Sequence, residues 1–154
     1  MNKDTRLSGV LHVLLHLGQV TSAQTSEVLA SAMGTNAAVF RRTMAGLREA
    51  GYVRSEKGHG GGWTLAKPLT QISLLDIYLA LGQPGLFAIG SRNENTDCRV
   101  EQAVNSALSE TLTKAQALIV EQLASITLAS LAPPNSPGAI VHSHPVAAPS
   151  THTG

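Results

Sequence analysis

The sequence predicts a mostly α-helical fold with a small β-wing: an α+β winged helix-turn-helix plus a long C-terminal dimerisation helix. Three observations carry that expectation. Two short helical patterns, Thr25 to Met33 and Asn36 to Ala50, are joined by a turn containing Gly34, the form of a helix-turn-helix. A strand, a glycine-rich tip and a returning strand follow at once, between Tyr52 and Ala66. Farther on, apolar residues recur in steps of three and four from Val100 to Ile126, the spacing of an interhelical seam.

Taken in order, the first helix is expected over Thr5 to Leu17, where Leu7, Val10, Leu11, Leu14 and Leu17 make a wide apolar face. His12 and His16 stand four apart on one side of it, a spacing that can bind zinc. No third ligand is apparent nearby and no HExxH glutamate accompanies them, so they read as imidazoles on a scaffold helix and no metal site is expected. Thr25 is placed to cap the second helix, with Glu27 in its first turn and apolar Val28, Leu29 and Ala32 at helical spacing. Gly34 suits a left-handed helix end, and Thr35 or Asn36 caps the third helix. There Val39, Met44 (or Thr43) and Leu47 are expected to face the core. Asn36, Ala37, Arg41, Arg42 and Arg48 fall largely outside that stripe.

Gly51 ends the third helix. Tyr52 to Ser55 and Trp63 to Ala66 read as paired strands around the tip Gly58-His59-Gly60-Gly61-Gly62, and Pro68 stops the second. A tip without Cβ atoms lets backbone amides approach phosphates. Ser73 is expected to cap a very apolar helix, Leu74 to Leu81, stopped by Gly82. A loop from Gln83 to Asp97 follows, whose patch Leu86-Phe87-Ala88-Ile89 is expected to cover core. Asp97 then caps a helix running to about Ser125, about 28 residues or roughly 42 Å. That exceeds what a small winged core needs, and Val100, Val104, Leu108, Leu112 and Leu118 are its expected dimer contacts. Thr127 caps a last turn, Leu128 to Leu131. The resulting division is 1–82, a DNA-binding winged helix-turn-helix; 83–131, the loop and dimerisation helix; and 132–154, a disordered Pro- and His-containing tail.

Composition narrows the class. With 154 residues the chain makes one domain with extensions. No run approaches the roughly 20 apolar residues of a membrane span, and Val10 to Leu17 is interrupted by both histidines, so neither a span nor a signal peptide is expected. The single cysteine, Cys98, precludes an intrachain disulfide and suits a reducing cytoplasm. Net charge is only +1, yet eight basic residues face four acidic ones up to Pro68, and three face six beyond it. That polarity is the sign expected if the front half meets phosphate. No clustered nucleophile and base, and no phosphate loop, is visible, so an enzyme is not expected.

The run Leu47-Arg48-Glu49-Ala50-Gly51-Tyr52-Val53-Arg54-Ser55, then Gly58, then Gly61-Gly62-Trp63-Thr64-Leu65-Ala66, then Ile72-Ser73-Leu74-Leu75-Asp76-Ile77, resembles the Rrf-two family of bacterial regulators. The resemblance covers Leu7 to about Leu131. It implies a dimeric winged-helix transcription factor, usually a repressor, with the recognition helix in the major groove and the wing in the minor groove. Cluster-binding members of that family carry three cysteines before the dimer helix; this chain has only Cys98, and iron–sulfur centres are usually held by cysteine throughout. The resemblance is therefore to the cluster-less, single-cysteine, YwnA-like branch, and no cofactor is expected. Cys98 opens the dimer helix beside Arg99, where a thiol gains reactivity as a redox or electrophile sensor; the other reading is a small buried hydrophobe.

Two functions remain. The first is a cytoplasmic homodimeric regulator of double-stranded operator DNA, with Asn36, Ala37, Val39, Arg41 and Arg42 of the recognition helix and Lys57, His59, Gly60 and Gly61 of the wing at the nucleic acid. The second is a winged-helix protein-interaction module without operator binding. Salt-dependent binding to duplex DNA separates them.

Overall fold

The structure is a computed structural model and describes residues 3–134, so nearly all of the tail expected over 132–154 lies outside the described residues. Among the described residues the order is α1 (Arg6–Leu17), α2 (Ser26–Ala32), α3 (Ala37–Glu49), β1 (Val53–Glu56), β2 (Gly62–Leu65), a 3-10 turn (Leu69–Gln71), α4 (Leu74–Ala80), α5 (Arg99–Ser125) and a second 3-10 turn (Leu128–Leu131). The helix-turn-helix, wing and long helix thus form where the sequence places them, an α+β winged fold.

Local chemistry sets most of the boundaries. Thr25 accepts the Val28 amide and caps α2, and Asn36 accepts the Val39 amide and caps α3, which removes two of the unpaired donors at those helix starts. Between them Gly34 takes φ +70°. Ser73 and Asp76 form a reciprocal capping box at the start of α4: the Ser73 amide donates to Asp76 Oδ2 at 2.8 Å and the Asp76 amide to Ser73 Oγ at 3.1 Å. This gives the Ile-Ser-Leu-x-Asp-Ile segment a physical reason. The start of α5 differs from expectation. Cys98, not Asp97, occupies the N-cap position, because the Thr96 hydroxyl accepts the Cys98 amide and starts the helix one residue later.

The core is built from α1, α2, α3, β1, β2 and α4, with Val10, Val13, Leu14, Phe40, Met44, Leu47, Ile72 and Ile77 wholly or almost wholly out of water. Removing each such side chain from water contributes about 1.5–3 kcal/mol before the ordering entropy is subtracted. The stripe expected on α3 forms at Met44 and Leu47, both buried, but its first member is Phe40 rather than Val39, which is half-buried like Thr43. On α2, Leu29 and Ala30 face in while Val28 and Ala32 face out, because that short helix meets α1 and α3 along a narrow line. Leu128 returns from the far end of α5 into the same core. Its amide bonds the Ile72 carbonyl at 2.8 Å, and the Leu74 amide bonds the Ile126 carbonyl at 2.9 Å. Gly46, in the middle of α3, lies so close to the Ala80 carbonyl of α4 that no Cβ fits between the helices.

α5 packs on α4 along one side, yet none of its residues is buried. Leu108, Leu112, Ala115, Ile119 and Leu123 are half-covered, whereas Val100 (74% exposed), Val104 (52%) and Leu118 (68%) lie open. The Leu86–Ile89 patch does not cover the core of the chain as expected: Phe87, Ala88 and Ile89 are exposed, and only Leu86 is partly covered.

Candidate nucleic-acid interface

The wing is a two-stranded antiparallel hairpin pairing Val53 with Leu65, Arg54 with Thr64, Ser55 with Trp63 and Glu56 with Gly62. One residue fixes it to the helix-turn-helix. Trp63 of β2 is buried, and its indole Nε1 donates to the buried Ser26 Oγ of α2 at 2.9 Å. Its ring meets Phe40 of α3 edge-to-face at 5.6 Å, a favoured aromatic geometry. Its backbone pairs in both directions with Gln24, extending the hairpin to the segment that enters α2. The indole therefore joins α2, α3 and the wing in one place. Arg48 of α3 lies over the outer face of the same ring, 5.9 Å from its centre, and donates to Ser55 Oγ at 3.2 Å.

Between α2, α3 and the wing runs an open groove of about 510 Å³. Its walls carry the cations Arg41, Arg48 and Lys57 against the acids Glu27 and Glu56. The expected site residues divide around it. Arg41, Lys57 and Gly61 line the groove. Arg42 is exposed on α3, and His59 and Gly60 are exposed at the tip, but they do not line the groove. Asn36 is exposed, yet its side-chain oxygen is engaged by the Val39 amide at 3.0 Å, so its role in the structure is the cap. Ala37 and Val39 are half-buried at the start of α3.

The wing glycines act differently from one another. Gly60 sits at φ +76° with open space around it, a backbone state that suits glycine. Gly61 has ordinary backbone angles, but a Cβ there would meet the carbonyls of Glu56 and Gly58. Its amide closes the tip by donating to Gly58 O at 3.0 Å. The need for glycine at 61 is thus met inside the wing itself.

Three features of the groove were not among the expected DNA-contact residues: Glu27, Arg48 and the Trp63–Ser26 bond. Glu27 read as a first-turn acid and Arg48 as an exposed cation. Arg41 Nη2 lies 3.0 Å from Glu27 Oε1, a bridge between residues 14 apart that only the crossing of α2 and α3 creates. The lone tryptophan beside a glycine tip was the one available signal for the third. Burial and then the nearby Asp76 push the Tyr52 phenol up, and Lys67 Nζ lies 4.8 Å from its ring centre.

His12 and His16 are exposed and share a hydrogen bond, with Nε2 atoms 2.9 Å apart. Cys98 is free and exposed, so the reading of a buried thiol does not hold within the chain. Among the described residues no group of three or more His, Cys, Asp or Glu side chains converges as metal ligands. Among the described residues Cys98 is the one thiol, which does not fit the cysteine ligation usual for an iron–sulfur cluster. No helix among the described residues is long and apolar enough to cross a membrane.

Comparison with known proteins agrees with this geometry. The Rrf2 family, described as an iron-dependent transcriptional regulator, matches residues 3–134. YwnA of Bacillus subtilis (strain 168), provisionally named an HTH-type transcriptional regulator, is 34% identical over 126 residues, 81% of this chain and 92% of its own. A crystal structure of a provisionally assigned DNA-binding protein superposes with TM-score 0.64 at 30% identity, covering 82% of this chain and 97% of that one. CymR, the global cysteine regulator of B. subtilis, shares the fold at TM-score 0.61 and 22% identity, over 86% of this chain and 96% of its own. With the family matching every described residue, and the hairpin, capping box and long helix in place behind it, the chain belongs to the Rrf2 family of transcriptional regulators.

Proposed function

We propose that the protein represses transcription in the cytoplasm as a homodimer on double-stranded operator DNA, with α3 in the major groove and the β1–β2 wing at the adjacent minor groove and phosphates. The observation that carries this reading is the groove in which Arg41 of α3 and Lys57 and Gly61 of the wing face the same space. Arg42 continues the basic surface along α3. The exposed apolar side of α5 supports the pairing of two copies: Val100, Val104 and Leu118 stand in water along a helix of about 40 Å, a surface that association would cover. Pairing would set the two α3 helices at the spacing of successive half-sites, about one DNA turn apart. Cys98 is the group assigned to sense oxidants or electrophiles. It is exposed and opens α5, where modification would act on the junction between reading head and pairing helix.

The test is to select genomic fragments with the purified protein, sequence them, and measure affinity for the selected duplex across a salt series. Replacing Arg41 and Arg42 together by Ala should flatten the dependence of log affinity on log salt by roughly 0.9 for each phosphate that the pair neutralises. A wild-type protein with no salt-dependent duplex binding would instead point to a protein-interaction module, and an unchanged slope in the variant would place both arginines away from the DNA backbone.

A further inference from the structure

The two adjacent arginines of α3 are not equivalent. Arg42 is exposed and makes no ion pair among the described residues, whereas Arg41 is held by Glu27 of α2 at 3.0 Å, with both side chains more than half exposed. Glu27 lines the groove beside Arg41 and Lys57, so its carboxylate occupies the space that the proposed function gives to nucleic acid. We propose that Glu27 is a specificity-determining residue: it holds Arg41 off nonspecific phosphate and releases it only to a base edge or phosphate that offers a better acceptor set. This rests on the reading of the groove as a DNA interface.

In a duplex complex the Arg41 guanidinium has two anionic claimants, the Glu27 carboxylate and DNA. A solvent-exposed ion pair contributes only about 0.2–1 kcal/mol, so DNA can displace it. Every complex that takes Arg41 must first give up that pair, and the Glu27 carboxylate then faces DNA unpaired. A randomly placed phosphate offers one point charge in return. A guanine presents O6 and N7 together to the planar fork of an arginine, and a good bidentate pair of this kind discriminates by about 1–3 kcal/mol. Only the second repays the exchange with a margin. Arg42 has no such tether and supplies sequence-independent attraction. Glu27 also lies in the first turn of α2, where an acid favours the helix dipole, so the test needs a readout that helix stability alone does not move.

The experiment compares Glu27→Gln with wild type on two probes, the duplex selected above and a shuffled duplex of the same composition, each over a salt series. Gln keeps the shape and a hydrogen-bond acceptor for Arg41 while removing the charge. Affinity for the shuffled duplex should rise by roughly 1.4- to 5-fold, the range set by one exposed charge pair. The salt slope on that probe should steepen by up to about 0.9 as Arg41 becomes an ordinary phosphate ligand, and the ratio of selected to shuffled affinity should fall. In an Arg41→Gln background the Glu27→Gln change should have little of its effect left, because the carboxylate acts through that guanidinium. Wild type that binds duplex while Glu27→Gln leaves both affinities and the slope unchanged overturns the inference alone. An equal effect with and without Arg41 also overturns it, reducing Glu27 to general repulsion. Wild type that binds neither duplex overturns the DNA reading and this inference together.

Discussion

Replacing either partner of the Trp63–Ser26 bond should weaken the whole reading head, and replacing both should be cheaper than the two changes taken separately. The bond is 2.9 Å long and both residues are buried, Trp63 at 4% and Ser26 at 9% exposure, so a missing partner leaves a largely shielded polar group. Ser26→Ala leaves the indole N–H buried without its acceptor, a loss of about 1–3 kcal/mol. Trp63→Phe leaves the Ser26 hydroxyl unpaired and adds the void of the absent ring, also at least about 1–3 kcal/mol. The double variant carries the void but no stranded polar group. Its destabilisation should therefore fall short of the summed single values by about 1 kcal/mol or more. Urea unfolding followed by far-UV circular dichroism measures all four corners, and each kcal/mol corresponds to a melting shift of about 2–4 °C for a chain of this size. Additivity within about 0.5 kcal/mol would refute the hydrogen bond as the link between wing and α2. Because the same indole carries Arg48 and stands beside the backbone pairing of Trp63 with Gln24, the single variants should also bind duplex more weakly at temperatures where they remain folded.

Other predictions follow from the same geometry. Gly61→Val should lower DNA affinity while the protein stays dimeric, because a side chain at 61 enters the carbonyls of Glu56 and Gly58 and opens the tip; Gly60→Ala, with open space but φ +76°, should be milder, at about 1–2 kcal/mol of local strain. Normal duplex binding by Gly61→Val would exclude the wing tip from the interface. Val104→Glu with Leu118→Glu should give monomers by sedimentation, since both side chains are already exposed in the single chain and the change disturbs no core; wild type that sediments as a monomer at micromolar concentration would end the dimer proposal. Cys98→Ser should abolish DNA release on treatment with diamide or hypochlorous acid, and equal responses from variant and wild type would eliminate Cys98 as the sensor.

The sequence by itself determined the order of elements and nearly all their ends, because those are set by neighbours in the chain. Thr25, Asn36 and Ser73 cap the helices that follow them, Gly34 and Gly82 take left-handed angles where helices stop, and the glycines at 58–62 make the wing tip. Arg41, Arg42 and Lys57 were also legible as exposed cations, since periodicity on α3 and a polar tip leave them nowhere else to go. Periodicity was less able to choose between adjacent positions. Val39 and Phe40 both border the apolar stripe of α3, and it was packing against Trp63 that drew Phe40 inside. Everything that depends on residues distant in the chain belonged to the tertiary structure. The sequence marks Glu27 as an acid near a helix start; only the crossing of α2 over α3 puts it 3.0 Å from Arg41 and inside the groove. Packing of the wing against α2 brings Ser26 to Trp63, 37 residues away, and the return of Leu128 to Ile72 closes the core. Capping and turn formation act within a few residues and can be read along the chain. Charge pairing and burial act through space, between segments whose proximity is fixed only when the core packs.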